Sequence, residues 1–183
     1  MKYQIILSGI GGQGLISTGE ILGQAAAVFE GKKATLTAAY GSETRGTFTK
    51  SDVIISDEDI YYPNIDNPDI ILCLAQVAYD RYVDKFTDET LVFYDVDMVI
   101  KAEGAKGEHL GYSFRNISIE MGNMNVANSI ALGAIIQKTG VLTKHSVLSA
   151  FADRFSGKQK ILDLNIEALE KGITLQGEQG GAQ

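Results

Sequence analysis

The chain has 183 residues, 45% hydrophobic and 21% charged, with 16 Lys+Arg against 23 Asp+Glu and a net charge of −7. No basic cluster interrupts that balance, which argues against a nucleic-acid surface, and no apolar run approaches the roughly 18 residues that span a membrane. A single cysteine leaves no internal disulfide and no cysteine-ligated cluster within the chain.

The length suits one domain able to bury about two-thirds of its unfolded surface. No basic region precedes a signal-like apolar segment at the N-terminus, so a cytoplasmic location is expected. Residues 3–8 read as a buried strand, and the apolar positions of 13–30 recur at helical spacing, with Gly31 as a stop. Lys33 to Ala39 and Phe48 to Ser56 read as strands around the polar loop Tyr40 to Gly46. Asp69 to Ala75 is a continuous apolar strand, Gln76 to Phe86 is helical, and Thr90 to Tyr94 is a further strand.

Residues 100–122 carry little pattern beyond a short edge strand at His109 to Phe114. The last third is helical: Asn123 to Thr139, then Thr143 as N-cap of a helix to about Phe155, then Lys158 to Lys171 closed by Gly172. Continuous apolar strands alternating with helices predict an α/β, Rossmann-like fold. Its sheet should be mostly parallel and covered by helices on both faces. Residues 1–175 form one domain in this reading, and 176–183 are a flexible tail.

The first strand runs into Gly9-Ile10-Gly11-Gly12-Gln13-Gly14, and Gly9, Gly11 and Gly14 fit G-x-G-x-x-G. Such a turn brings backbone N–H groups at a helix N-terminus within reach of a phosphate. It can equally be a packing turn. The nicotinamide or flavin reading needs an acid about 20 residues on, at the end of the second strand. That strand ends Leu36-Thr37-Ala38-Ala39-Tyr40, without one, so NAD is disfavoured.

Gly41 to Gly46 has P-loop spacing, but Thr47 stands where the phosphate-binding Lys belongs. Ser42, Glu43 and Arg45 offer a hydroxyl, a carboxylate and a guanidinium at the carboxyl end of a strand, where ligands of open α/β sheets sit. Arg45 can fork onto a phosphate or carboxylate, or pair internally with Glu43. Cys73 reads as a small buried hydrophobe, His145 as solvated, and Asp57 to Asp59 as a solvated turn. Neither His109 nor His145 has metal-ligand neighbours in sequence. Asn123, Asn125, Asn128 and Ser129 crowd one helix start. Capping explains one of them, and the others suggest hydrogen bonds across a helix–loop junction or a subunit interface.

The combination of Gly9–Gly14 with Tyr40-Gly41-Ser42-Glu43-Thr44-Arg45-Gly46 and Val53-Ile54-Ile55-Ser56-Asp57 resembles the gamma subunit of 2-oxoacid:ferredoxin (acceptor) oxidoreductases. Asn125 to Ala134 and Leu164 to Gly172 are similar too, so the likeness covers about residues 3–173. The second motif looks most like the 2-oxoglutarate branch. Thr47 departs from the family's R-G-G, placing a β-branched residue where a second glycine would allow positive φ.

The resemblance implies a subunit, inactive alone, of an oxidoreductase that converts a 2-oxoacid and coenzyme A to acyl-CoA and carbon dioxide. Electrons would pass to ferredoxin or another acceptor. Thiamine diphosphate, magnesium and iron–sulfur clusters would sit in alpha, beta and delta-type partner subunits. This chain would scaffold the hetero-oligomer, with no catalytic or metal-ligating residue of its own; it could share in binding CoA, and when isolated it could pair with a second copy. Its expected ligand-binding residues are Gly9, Gly11, Gly12, Gln13, Gly14, Ser42 and Arg45. Two alternatives remain: a stand-alone nucleotide-binding protein and a purely structural interaction subunit.

Overall fold

Ile5, Ile6 and Leu7 are consecutive and all buried. Side chains alternate across a strand, so β1 (Lys2–Ile10) must be covered on both faces. The computed structural model describes residues 1–40 and 47–176 and the backbone of 178–179, and Gly41 to Gly46, with Ser42, Glu43 and Arg45, lie outside the described residues. After β1 come α1 (Leu15–Gln24), which widens into a π turn over Ala25–Phe29, then β2 (Lys33–Tyr40) and β3 (Phe48–Ser56). Next follow β4 (Ile70–Cys73), α2 (Gln76–Tyr82), β5 (Leu91–Asp95), β6 (Glu108–Tyr112) and α3 (Phe114–Glu120). The chain closes with α4 (Ala127–Thr139), α5 (Lys144–Arg154), α6 (Gln159–Thr174) and a two-residue β7 (Glu178–Gln179).

The sheet order is β2-β3-β1-β4-β5-β6-β7. β1, β4, β5 and β6 are successively parallel. β3 runs antiparallel between β1 and β2, so β2 points the same way as β1 from the sheet edge. Five strands thus run in one direction, as the apolar runs predicted. The inserted antiparallel β3 was not visible in them, because a fully buried strand reads alike in either orientation. β6 is interior rather than an edge, since β7 pairs with it.

The two faces are unequal. Ile5, Leu7, Val53, Ile55, Ile70, Leu72 and Phe93 meet the helical layer of α1, α4, α5 and α6 in one large core. On the other face Ile6, Ile71, Cys73 and Val92 pack mainly against Tyr79 and Tyr82 of α2, with Phe86 and Val99.

α4 is buried from Asn128 through Ile136, so it is apolar nearly all round. It crosses α6 through glycines. A Cβ on Gly172 would lie 1.9 Å from the Ile130 carbonyl oxygen, and one on Gly133 would lie 2.2 Å from that of Leu169. Gly172 therefore does not close the last helix, as its position suggested. It lies inside α6 and lets two backbones touch. Ser129 Oγ donates to Asn165 Oδ1 at 2.6 Å across the same contact.

The start of α5 is held by Thr143, whose Oγ1 accepts from Ser146 N–H at 3.2 Å. Glu30, beyond the π turn, reinforces that end. Its Oε1 accepts from Thr143 N–H and from Ser146 Oγ, each at 2.7 Å, and Lys32 Nζ sits 2.7 Å from its Oε2. Partial burial pushes the Glu30 carboxyl up. The hydrogen bonds from Lys32, Ser146 and Thr143 outweigh this and bring it from 4.5 down to about 2.

Two outcomes follow from these contacts. Gly172→Ala should cost about 2–4 kcal/mol, because backbone rather than a side-chain tip must move, and a thermal midpoint equal to wild type would refute the close approach. Glu30 has a depressed folded pKa, so its contribution is present above about pH 4.5 and is lost as pH falls toward 2. Urea midpoints of Glu30→Gln and wild type should therefore differ by about 1–3 kcal/mol at pH 6 and converge near pH 2–3.

Candidate functional site

β1 turns into α1 through the glycine run. Gly12 and Gly14 have φ of 92° and 71°, left-handed values that only glycine adopts without strain. The turn is closed by its own side chain. Gln13 Oε1 accepts from Ile10 N–H at 2.8 Å, while Gln13 Nε2 donates to the Leu74 carbonyl at 2.9 Å, so one carboxamide spans the ends of β1 and β4. A Cβ on Gly9 would lie 2.1 Å from Gln13 Oε1, which accounts for the glycine there. Gly14 faces Asn128 of α4. Asn128 Nδ2 donates to Thr18 Oγ1 at 3.0 Å and to the Gly14 carbonyl at 3.3 Å.

The turn's donors are partly committed. Gly11 N–H bonds the Thr47 carbonyl at 2.9 Å, and Gln13 N–H bonds that of Ile10 at 3.3 Å. Among the described residues this leaves Gly12, Gly14 and the first turn of α1 with N–H groups free for an anion. The five predicted residues Gly9, Gly11, Gly12, Gln13 and Gly14 thus form one unit. Gln13 and Gly9 build it, and Gly12 and Gly14 present it. Tyr40 and Phe48 bound the segment that carries Ser42 and Arg45, and Phe48 is the cross-strand partner of Ile10.

The same topology explains why no acid ends β2. β3 separates β2 from β1, so the end of β2 stands two strand spacings, about 9–10 Å, from the turn. A ribose bound beside β1 would not reach it.

Beside the turn a cleft of about 200 Å3 opens between Gly11–Gln13, Leu74, Asp95, Arg115 and Asn125. It lies at the carboxyl ends of β1, β4 and β5, where connections leave β1 to either side, the usual place for a ligand in an open α/β sheet. Asp95, at the end of β5, is 2% exposed. Its Oδ2 accepts from Arg115 N–H at 2.8 Å and its Oδ1 from Asp97 N–H at 2.9 Å. Asp95 thereby caps α3 from another element. Burial pushes its carboxyl up to about 6, against those two hydrogen bonds and with Asp97 adding to the rise.

Sequence reading missed Asp95 and Arg115, and it singled out Asn125 without placing it at this cleft. The usable signal was an acid ending the apolar run Leu91-Val92-Phe93-Tyr94. α3 itself, within residues 100–122, has no repeat long enough to announce it. Of the crowded amides, Asn123 accepts from Asn125 N–H, and Asn128 and Ser129 make the cross-element bonds already described.

The other candidates keep their plain roles. Cys73 is buried, and burial pushes its thiol up to about 12. His145 is exposed, as are Asp57 to Asp59. His109 is buried, with Nε2 2.9 Å from Tyr79 Oη and Nδ1 3.2 Å from the Gly107 carbonyl, and burial lowers its pKa below the ordinary 6.5. No grouping of His, Cys, Asp and Glu among the described residues would hold a metal ion. No helix among them is long and apolar enough to cross a membrane.

Residues 4–175 match the family model described as pyruvate ferredoxin/flavodoxin oxidoreductase. The chain is 39% identical over 181 residues to 2-oxoglutarate synthase subunit KorC of Methanocaldococcus jannaschii, covering 97% of this chain and 96% of that one. It is 34% identical to ketoisovalerate oxidoreductase subunit VorA of Methanothermobacter thermautotrophicus, over 93% of this chain but 36% of VorA. The gamma subunit of the keto/oxoacid ferredoxin oxidoreductase of Geobacter sulfurreducens superposes with a TM-score of 0.83 at 34% identity, covering 94% of each chain.

A raised Asp95 carboxyl stabilises the fold fully below its ordinary 3.8, and this contribution is lost as pH rises through about 6. Between pH 4 and 7 the urea midpoint of wild type should fall relative to that of Asp95→Asn by the equivalent of about 1–3 kcal/mol. Parallel profiles would show that Asp95 does not titrate in that window.

Proposed function

The chain belongs to the pyruvate ferredoxin/flavodoxin oxidoreductase family, and we propose that it is the gamma subunit of a cytoplasmic 2-oxoacid:ferredoxin oxidoreductase acting on 2-oxoglutarate. One observation carries this reading: a likeness to 2-oxoglutarate synthase subunits that runs almost end to end on both sides. The reaction is the oxidative decarboxylation of a 2-oxoacid. The bond between the carboxylate and the oxo carbon breaks and carbon dioxide leaves. The acyl group passes to the CoA thiol, and the electron pair passes to ferredoxin or another acceptor.

The residues of this chain do not suit thiamine diphosphate or an iron–sulfur cluster. Its one cysteine is buried with a neutral thiol, and no metal-holding set is present among the described residues. In this reading those groups and magnesium are carried by alpha, beta and delta-type partner subunits. Residues 1–175 act as one unit docked on them. The match to VorA, in which a length like this one is about a third of a longer chain, supports a fold made to sit against further domains.

What this chain contributes to the chemistry is a place for the CoA phosphates. Gly12, Gly14 and the first turn of α1 offer N–H groups and the positive end of the helix dipole. Arg45 supplies a fork and Ser42 a hydroxyl from the segment between β2 and β3. Gln13 and Gly9 keep the turn in shape.

The intact complex, purified through this chain, should reduce a dye with 2-oxoglutarate and CoA faster than with pyruvate or 2-oxoisovalerate. In that complex Arg45→Ala should raise KM for CoA about tenfold, a loss of about 1.4 kcal/mol, and change kcat less. An unchanged KM would remove Arg45 from the CoA site. A chain that purifies alone, without activity, would defeat the subunit assignment itself.

A further inference from the structure

β5 and β6 are parallel neighbours, and the crossover that joins them, residues 96–107, contains no helix. Such a connection is usually helical. Here an irregular strap lies on the thinly covered face instead, with Val99, 4% exposed, packed beside Tyr79, Val92 and Tyr94. Its base is fixed, since Val96 N–H bonds the Tyr112 carbonyl and Val99 N–H that of Asp95. From Ile100 to Gly104 the strap is exposed, and its hydrogen bonds to the rest of the molecule are made to side chains.

Two side chains do this. Gln76, at the start of α2, accepts from Ile100 N–H at 2.7 Å and donates to the Ile100 carbonyl at 3.4 Å, on the exposed surface. The other tie runs inward. Tyr79 Oη accepts from Ala102 N–H at 3.2 Å and lies 2.9 Å from His109 Nε2, while His109 Nδ1 lies 3.2 Å from the Gly107 carbonyl. A carbonyl can only accept, which assigns the single imidazole proton to Nδ1 and leaves Nε2 bare. Tyr79 therefore donates to Nε2. One neutral histidine, 5% exposed, thus holds Ala102, through Tyr79, and Gly107 directly.

A proton added at Nε2 breaks this arrangement. Both ring nitrogens then donate, and Tyr79 has to accept. Its own O–H is left without an acceptor, because His109 and Ala102 are its only hydrogen-bond partners among the described residues. The new charge would also stand among aromatic rings, with Phe86 at 5.7 Å and Tyr94 at 5.9 Å between centroids. The charged and titratable groups around the pair are Lys101 on the strap, Asp80 on α2, Tyr94 on β5 and Cys73 on β4. Lys101 opposes a second positive charge, Cys73 is neutral, and no carboxylate bonds either ring nitrogen. Burial lowers the imidazole below its ordinary 6.5, with the Gly107 bond working against it and Lys101 adding to the fall.

We propose that the 96–107 crossover is an acid-released strap, closed over the apolar face while His109 is neutral and freed when that imidazole takes up a proton. An opened strap exposes His109 to water, where it titrates normally. Closure is therefore complete above pH 6.5 and weakens by up to about tenfold per pH unit below it. Asp95, at the base of the strap, has a raised pKa and so favours the folded form in acid, the opposite sense. Release uncovers Tyr79, Val92 and Tyr94, so acid makes this face an apolar surface. Tyr79 and His109 line no part of the glycine-turn cleft, and the strap does not depend on the assigned reaction.

The test is amide hydrogen exchange of the full-length chain, read by mass spectrometry as protection factors at about pH 7.5 and about pH 5.5. Wild type should lose about tenfold in protection over residues 100–107 at the lower pH, while β4 keeps its protection. His109→Gln, which does not titrate, should show equal strap protection at both pH values. Tyr79→Phe keeps the ring and removes the hydroxyl, so its strap at the higher pH should be as open as that of wild type at the lower. Unchanged strap protection in wild type, a fall shared by β4, or a fall of the same size in His109→Gln would each overturn the proposal. So would wild-type protection of the strap in Tyr79→Phe at the higher pH.

Discussion

The architecture depends on one contact, that between the glycine turn and the start of α4. Asn128 stands so close to Gly14 that a Cβ there would lie 2.5 Å from its Nδ2. From that position its amide reaches both the Gly14 carbonyl and Thr18 Oγ1. Thr18 Oγ1 in turn donates to the same carbonyl at 2.9 Å. A positive φ at Gly14 turns this carbonyl toward α4, so backbone conformation and the polar contact require each other. Asn128 is buried and its Oδ1 has no partner, a cost that the two hydrogen bonds of its Nδ2 must offset.

With α4 anchored there, the rest of the helical layer follows. Its buried length must touch the sheet on one side and α6 on the other, and the second contact leaves no room for side chains at Gly133 and Gly172. α5 is fastened separately through Glu30 and Thr143 to the far end of the α1 region. The thick layer therefore spans the side of the sheet that carries the glycine-turn cleft. The opposite face, covered chiefly by α2, keeps polar residues such as Lys50 and Asp52 beside apolar strand positions.

Much of this was legible in the residues, and the exceptions have physical reasons. β3 was bounded to the residue, and α5 was placed through its Thr143 cap, because a run of β-branched residues and a capping hydroxyl are local signals. The strand–turn–helix at Gly9–Gly14 was equally local. The insertion of β3 between β1 and β2 was hidden, since strand order is a long-range property. Gly172 was read as a stop because a glycine near a helix end looks the same whether it terminates the helix or admits another backbone. Asp95 was hidden for a related reason. Its partners, the N–H groups of Asp97 and Arg115, belong to a turn and to a helix that no repeat marks. Ser42 and Arg45, the residues chosen for their side-chain chemistry, lie outside the described residues, so the part proposed for them rests on their place in the sequence between β2 and β3.

On the proposed reading this acidic chain takes an anion, and it must then do so through local fields, because its net charge of −7 works against the encounter. The cleft supplies such fields with backbone rather than with a basic patch: the start of α1 presents N–H groups on one side and Arg115, at the start of α3, stands on another. Asp95 is the apparent obstacle, a carboxyl lining the place where a phosphate would come. Its geometry gives it a structural task there. Both oxygens are turned onto N–H groups at α3 and Asp97, so the carboxylate's hydrogen-bonding capacity serves the cap, although with a pKa raised to about 6 it still carries most of its charge near neutrality. An acid at this position organises the wall of the cleft by holding the start of α3. A lysine in its place would attract phosphate but leave the first N–H groups of α3 without an acceptor.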